Sequence, residues 1–464
     1  MTNRILSYLL CTTLAASPAA TFAHGTNHAV LPEGVVGEIE TTNVKMRFEN
    51  VVIRGAQIFN GCDEELSSAD VLVSGQLIKK IGPDIEAPEG AFEINAEGHT
   101  LIPGLIDAHW HGIFAEATIG QLALTGEGYW NLLAAKAQNN ALSRGFTTVR
   151  DTAGPMFDIA KATDQGLIDG PRVFPSGPAL SITAGHQDFR LTREVPQAAG
   201  ELHSFERGNM FYITDGVPDV LKRTRENLMQ GATQIKLMAG GGVTSAYDPI
   251  HTIQFTGEEF RAAVEATEAW GTYVTTHAIN NEAVVHSIEN GARSVEHAHM
   301  STRETLQMFK DNDVWLSMQP FLDDEDAPAL NEFQKAKYKF VTDGTDFVYR
   351  TAKELGLKIA FGTDTLFSAD LAKRQGAVLA KMQRWFTPYE TLKMATCDNA
   401  ELLKLSGPLT PYPLGPLGVI EEGAYADMIL VAGNPLENLD LISDPKENFG
   451  MIMKDGVIYK FDIE

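Results

Sequence analysis

Apolar residues fall into short runs at both ends of the chain and into a longer alternating pattern between them. "MRFENVVIRGAQIFNG", "ADVLVSGQLIKKIGP" and "AFEINAEGHTLIPGLID" are β-rich stretches broken by Gly, Asn and Pro, which predicts a small sheet unit. The C-terminal stretches "GVIEEGAYADMILVAGNPL" and "GMIMKDGVIYKF" repeat the style, with Asp455-Gly456 as a hairpin signal. The economical reading is one β-sandwich built from both ends, over 44–103 and 413–464, with a domain inserted at 104–412.

The middle alternates apolar runs with amphipathic segments, the pattern of βα units. Its predicted strands are "LIDAHWH", "FTTVRD", "RVFPSG", "QIKLMAG", "TYVTTHA", "RSVEHA", "VWLSMQP" and "KIAFGTD". Helical segments such as "TGEEFRAAVEATEAWG" and "NEAVVHSIENG" lie between them, the second stopped by Asn290-Gly291. The fold class is therefore α/β, a (β/α)8 barrel with its chemistry at the C-terminal ends of the strands. "QPFLDDEDAPALNEFQKAKYKF" has the length and position of a lid over the barrel mouth, its acidic run reading as solvated surface.

Residues 1–23 read as a secretory signal: Arg4, an apolar stretch, and "TFA" as a cleavage site before a linker at 24–43. The apolar part is too short, and too broken by Thr12, Thr13, Ser17 and Pro18, to anchor in a membrane. The expected location is the periplasm or outside the cell. A net charge of −24 argues against nucleic acid or an anionic membrane as partner. After cleavage only Cys62 and Cys397 remain; they are free to pair but form no disulfide framework, so the fold must rest on its core.

Polar residues gather where the barrel strands end. His109 and His111 close the first, Lys236 lies in the fourth, His277 and His297 close the fifth and sixth, and Asp364 follows the eighth. Each alone has a structural explanation, and Asp364 would serve as a helix cap. Six at matching ends of successive strands point to one site. Lys236 is the most informative, because an ammonium in "TQIKLMAGGG" is costly to bury unless paired or neutral. A neutral lysine reacts with carbon dioxide to give a carbamate able to bridge two metal ions about 3.5–4 Å apart; a salt bridge to a carboxylate is the alternative.

In this combination "DAHWH", Lys236, His277, His297 and "GTD" resemble the amidohydrolase superfamily across nearly the whole barrel. "IKLMAGGGVTSAYDPI", "TTHA", "SVEHAH" and "FGTDTLF" look most like its prolidase-like branch of dipeptidases, carboxypeptidases and ochratoxin-type amidases. The resemblance implies His109, His111 and Asp364 on one divalent metal, His277 and His297 on a second, and carboxylated Lys236 bridging them. Such ligands suit Zn²⁺, with Mn²⁺ or Co²⁺ as substitutes. His299 competes with His297 but lies past the strand end. Hydroxide from a metal-shared water would attack the amide carbonyl, with Asp364 moving the proton to the leaving amine. Oligomeric assembly is common in the branch.

In "SITAGHQDFR", His186 matches a branch histidine that contacts the substrate carbonyl or carboxylate, though Ala184-Gly185 replaces the expected Gly-Gly. Tyr247 would donate to the same group and Arg190 would pair with a carboxylate. Gly240, Gly241 and Gly242 let backbone approach the metals closely. Hydrolysis of dipeptides or N-acyl amino acids is the leading reading. The alternatives are a cyclic amidase of hydantoinase or dihydroorotase type and a periplasmic binding protein without catalysis. Lys236 counts against a mononuclear deaminase.

Overall fold

A computed structural model describes residues 44–198 and 200–463 of the chain. The signal segment and linker predicted over 1–43 lie outside the described residues.

Strands from both ends join one nine-stranded sheet. Met428–Ala432 is the seam, antiparallel to both His99–Pro103 and Phe449–Lys454. Alternation along this strand explains the architecture. Met428 and Leu430 point into a core shared with Val51, Ile53, Val71, Leu101 and Met451. Ile429 and Val431 point the other way, into the main core with Ile102, Ile452 and residues of the inserted domain. Both faces are covered, so these strands are apolar throughout rather than alternating with polar residues. The predicted sandwich is thus one continuous sheet, closed over its own core and packed on the barrel.

All eight predicted barrel strands form: β1 Leu105–Trp110, β2 Phe146–Asp151, β3 Arg172–Pro175, β4 Ile235–Met238, β5 Val274–Asn280, β6 Ser294–Met300, β7 Trp315–Met318 and β8 Ile359–Phe361. Pairing is parallel and sequential except at β3. There the strand breaks after Pro175, and a second piece, Ala179–Ser181, makes the pairing to β4. "PSGP" supplies the break, since each proline lacks a ladder donor. The barrel closes between β8 and β1, where Asp364 N donates to His109 O at 2.8 Å. Asp107 braces that seam by accepting Thr363 N at 3.1 Å and Thr363 Oγ1 at 2.6 Å. Gly362 is required there, because a Cβ would sit 2.5 Å from His109 N.

The cysteine pairing left open is made, and one expectation changes. Cys62 and Cys397 are bonded, 5.3 Å apart at Cα, and tie the first terminal segment to the helical region after β8. The acidic run is not simply solvated: Asp326 pairs with Arg374 and Lys381, and Asp324 pairs with Lys381 at 2.8 Å. The expected lid ends inside a 24-residue helix, Glu332–Leu355, capped by Asn331, which continues past it.

Candidate active site

Strand alternation sets the site. Residues of β1 are all buried, and His109 and His111 face the barrel interior while Trp110 faces outward. The Trp110 indole donates to Gln138 Oε1 at 3.2 Å on the surrounding helix Glu127–Ser143, so its role is packing. Asp364 reaches the two histidines from the opposite side of the seam, 3.3 Å from His109 Nε2 and 3.0 Å from His111 Nε2. One donor atom from each of these residues lies within 4.8 Å of the others, a spacing suited to one cation.

The imidazoles continue as a chain of contacts. Ring centroids are 5.1 Å apart for His109–His297, 4.5 Å for His297–His277 and 4.0 Å for His277–His186. His299 lies farther out, stacked on Phe321, with Nε2 at 3.0 Å from Gln319 O. The structure therefore groups His297, and not His299, with the other candidate ligands. Its backbone is re-aimed within β6, which runs on through His299 to Met300 rather than ending before His299 as expected: His297 and Ala298 have φ of 79° and 54°, where the register with β5 shifts. Left-handed residues without glycine cost on the order of 1–3 kcal/mol each and persist when the surroundings fix them.

Partners on the outer ring nitrogens decide which atom each histidine offers. His109 Nδ1 donates to Glu296 Oε2 at 2.8 Å and His297 Nδ1 to Gln319 Oε1 at 2.6 Å, leaving both Nε2 atoms inward. His277 Nε2 faces Gly241 O at 3.3 Å, leaving Nδ1. Burial pushes His109 down to about 4 and holds His277 and His297 well below the usual imidazole range. These rings are neutral, the form that ligates metal. Burial alone would raise the Asp364 carboxyl, but His109 and His111 hold it below the usual carboxylate range.

Lys236 sits among these groups at 1% exposure, and burial pushes its ammonium down to about 8. No direct ion pair to its Nζ is seen among the described residues, but the Glu296, Asp364 and Asp151 carboxylates lie near enough to favour the ammonium against burial. Neutral imidazoles, an ionised carboxylate and a buried amine pushed toward neutrality fit a divalent-metal centre.

His186 stands at the edge, its Nδ1 3.0 Å from Asp248 Oδ2 and 2.9 Å from Ser245 Oγ. Ala184, which replaces the expected glycine, adopts φ of 59°. The glycine run serves both this loop and the ligand cluster, where Gly241 O faces His277 Nε2 and Gly240 N donates to His277 O. A Cβ on Gly242 would fall 2.1 Å from the His186 ring, and one on Gly241 would fall 2.0 Å from Pro249 O. Tyr247 is on the same loop and 37% exposed. Arg190 is already engaged: its guanidinium grips Asp188 at 2.8 and 2.7 Å and also donates to Gln197 and Thr183.

Sequence reasoning missed Glu296, Gln319 and Asp248, which orient His109, His297 and His186. Glu296 had a visible signal, a carboxylate immediately before His297 in an otherwise apolar strand. Arg150 completes that network, donating from Nη2 to Glu296 Oε1 at 2.7 Å.

Known proteins share this fold. An ochratoxinase of Aspergillus niger is 28% identical over 482 residues, covering 99% of this chain and 97% of that protein. A crystal structure of a prolidase complexed with N-methylphosphonate-L-proline superposes with a TM-score of 0.79 at 30% identity, covering 89% of this chain and 100% of that one. The A. niger ochratoxinase structure gives 0.76 at 27% identity, covering 89% of this chain and 96% of that one. Residues 100–460 match the amidohydrolase family across both the barrel and the closing strands. The chain belongs to the amidohydrolase family and is a hydrolase acting on carbon–nitrogen bonds.

Proposed function

We propose that this hydrolase uses two divalent metals, Zn²⁺ foremost, to cleave the C–N bond of dipeptides or N-acyl amino acids. The observation that carries the reading is Lys236, a fully buried amine pushed toward its neutral form beside neutral imidazoles. As the free amine, Nζ forms an N–C bond to carbon dioxide and loses a proton, giving a carbamate with two ligand oxygens. In this reading His109, His111 and Asp364 would hold one metal, His277 and His297 the other, and carboxylated Lys236 would supply further ligand oxygens. Bound cations polarise a carbonyl and lower the pKa of water.

The chain's own groups handle the proton and the substrate. An Asp364 carboxylate oxygen takes the proton of the attacking water and delivers it to the leaving nitrogen. His186, with Nδ1 held against Asp248 and Ser245, has Nε2 left to face the substrate carbonyl or carboxylate. Tyr247 would donate from the rim. The ochratoxinase and prolidase relatives support an exocyclic amide as substrate. Export remains part of the proposal, and the Cys62–Cys397 bond suits an oxidising compartment.

The test is hydrolysis of dipeptides, N-acyl amino acids and hydantoins by metal-loaded protein and by Asp364→Asn. Open-chain amides should be cleaved and hydantoins spared. Asp364→Asn should lose at least about 10²-fold in kcat while retaining appreciable metal binding. Full activity in that variant would remove Asp364 from the proton path, and exclusive cleavage of hydantoins would replace the substrate class.

A further inference from the structure

The helix Glu332–Leu355, which follows β7, turns two polar side chains inward. Gln334 is half-buried and Lys337 buried, and their spacing of three puts them on one face. Tyr338 and Val341, the next inward residues, join Ile250 and Ile279 in an apolar cluster, the ordinary content of such a face. A lysine there needs partners, because an ammonium loses its hydration on burial. Its Nζ donates to Ser245 O at 2.8 Å and to Asp248 O at 3.4 Å, with Asp248 Oδ1 4.0 Å away. Gln334 Nε2 donates to Thr244 O at 2.9 Å. The helix thus grips the tip of the loop after β4 by three backbone carbonyls.

That tip is what holds His186. Asp248 and Ser245 are both buried, and both meet His186 Nδ1, from Oδ2 at 3.0 Å and from Oγ at 2.9 Å. Two further bonds close the tip on itself and on the loop after β3: Gly242 N donates to Asp248 Oδ2 at 2.6 Å, and Gln187 N to Ser245 Oγ at 3.0 Å. The base of the loop is anchored elsewhere. Gln254 N donates to Ala239 O at 2.8 Å, and Asn280 Nδ2 donates to Ile250 O and Thr252 O at 2.9 and 3.0 Å. Asp248 Oδ1 accepts no hydrogen bond among the described residues, so Lys337 is the cation that answers that side of the carboxylate.

We propose that Lys337 is a positioning residue for substrate binding: by fixing Ser245 and Asp248 it fixes the His186 ring at the edge of the ligand cluster. The proposal rests on the amide-hydrolase reading above, in which His186 faces the substrate, and adds the helix after β7 to the parts that set that contact.

A double-variant cycle on zinc-loaded protein tests it, with the open-chain amide that wild type cleaves fastest as substrate. Lys337→Met and His186→Ala should each lower kcat/KM at least about tenfold, since a misplacement of about 1 Å can cost about 10²-fold. The double variant should stay within about threefold of His186→Ala, because residues acting through one contact are not additive. A lysine with a merely structural role would give losses that multiply. That result, or an unchanged kcat/KM in Lys337→Met, overturns the proposal. Zinc content should match wild type in every variant; zinc lost from Lys337→Met would move its point of action to the metal ligands and overturn it too. Lys337→Gln, which keeps a neutral donor, repeats the cycle with less risk to folding and should show the same non-additivity with a smaller single loss.

A second readout needs no turnover: hydrogen–deuterium exchange followed by mass spectrometry. Both Lys337 variants should raise exchange across 242–248 and 185–187 and leave 359–363 as in wild type. Exchange raised there in a protein that cleaves no amide would keep the Lys337 link and sink the amide-hydrolase reading. Amide cleavage with losses that multiply would do the reverse.

Discussion

Glu296→Gln removes one charge and leaves nearly the same volume, so it isolates what a fully buried carboxylate does for its neighbours. Glu296 accepts hydrogen bonds from His109 Nδ1 at 2.8 Å, Arg150 Nη2 at 2.7 Å, Ser294 Oγ at 3.2 Å and the Thr275 hydroxyl. A glutamine amide turns one acceptor oxygen into a donor facing either His109 or Arg150. Removing one partner of a buried pair costs about 3–5 kcal/mol. Arg150 keeps Ala108 O, Tyr273 Oη and Ser317 Oγ as acceptors, which places the expected loss near 3 kcal/mol. The second effect falls on the metal. Without the carboxylate, His109 is free to carry its proton on Nε2, the atom facing Asp364, and affinity should drop about 10–100-fold. Urea denaturation of the metal-free protein reads the first effect, and zinc competition with a chelator of known affinity reads the second. Wild-type zinc affinity in a folded Glu296→Gln protein would refute the assignment of Glu296 as the residue that orients His109.

Lys236→Met replaces an amine whose burial outweighs the attraction of nearby carboxylates with an apolar chain of similar length, so the metal-free variant should be more stable than wild type in urea, while metal binding falls. A destabilised metal-free variant would show that Lys236 has a partner in the fold. At the surface, the Arg384 guanidinium bonds the Asp346 carboxylate at 2.7 and 2.8 Å and, with the Trp385 indole, holds it down at about 2. A depressed carboxyl stabilises the fold fully above its unfolded value near 4 and loses that contribution as pH falls through about 2. The urea midpoint of Asp346→Asn should therefore lie below wild type by a constant amount above about pH 5 and converge on it toward pH 2. A gap that widens on acidification would contradict the sign.

The barrel was legible because each strand is an apolar run and the metal-ligand candidates interrupt those runs at their ends. Lys236 stood out for the same reason, as a cation where the strand is otherwise buried. The supporting groups were not legible, since their meaning comes from partners brought near by the fold. His109 and Glu296 are 187 residues apart, Arg150 and Glu296 146, and His186 and Asp248 62. The Cys62–Cys397 bond spans 335 residues and carries no local signal. Arg190 is the opposite case: Asp188 lies two residues away, and the pair was open to reading as a local brace rather than a substrate ligand. The break in β3 was likewise visible in "PSGP", whose two prolines interrupt the ladder. The acidic run read as surface because Arg374 and Lys381, its partners, follow β8.

Metal stoichiometry by elemental mass spectrometry on protein expressed with ample zinc tests the binuclear centre most directly. The account predicts about two zinc ions per chain, as expected for a two-metal hydrolase, falling to one or fewer in Lys236→Met. One metal or none in the wild-type protein, or two retained in Lys236→Met, would contradict it.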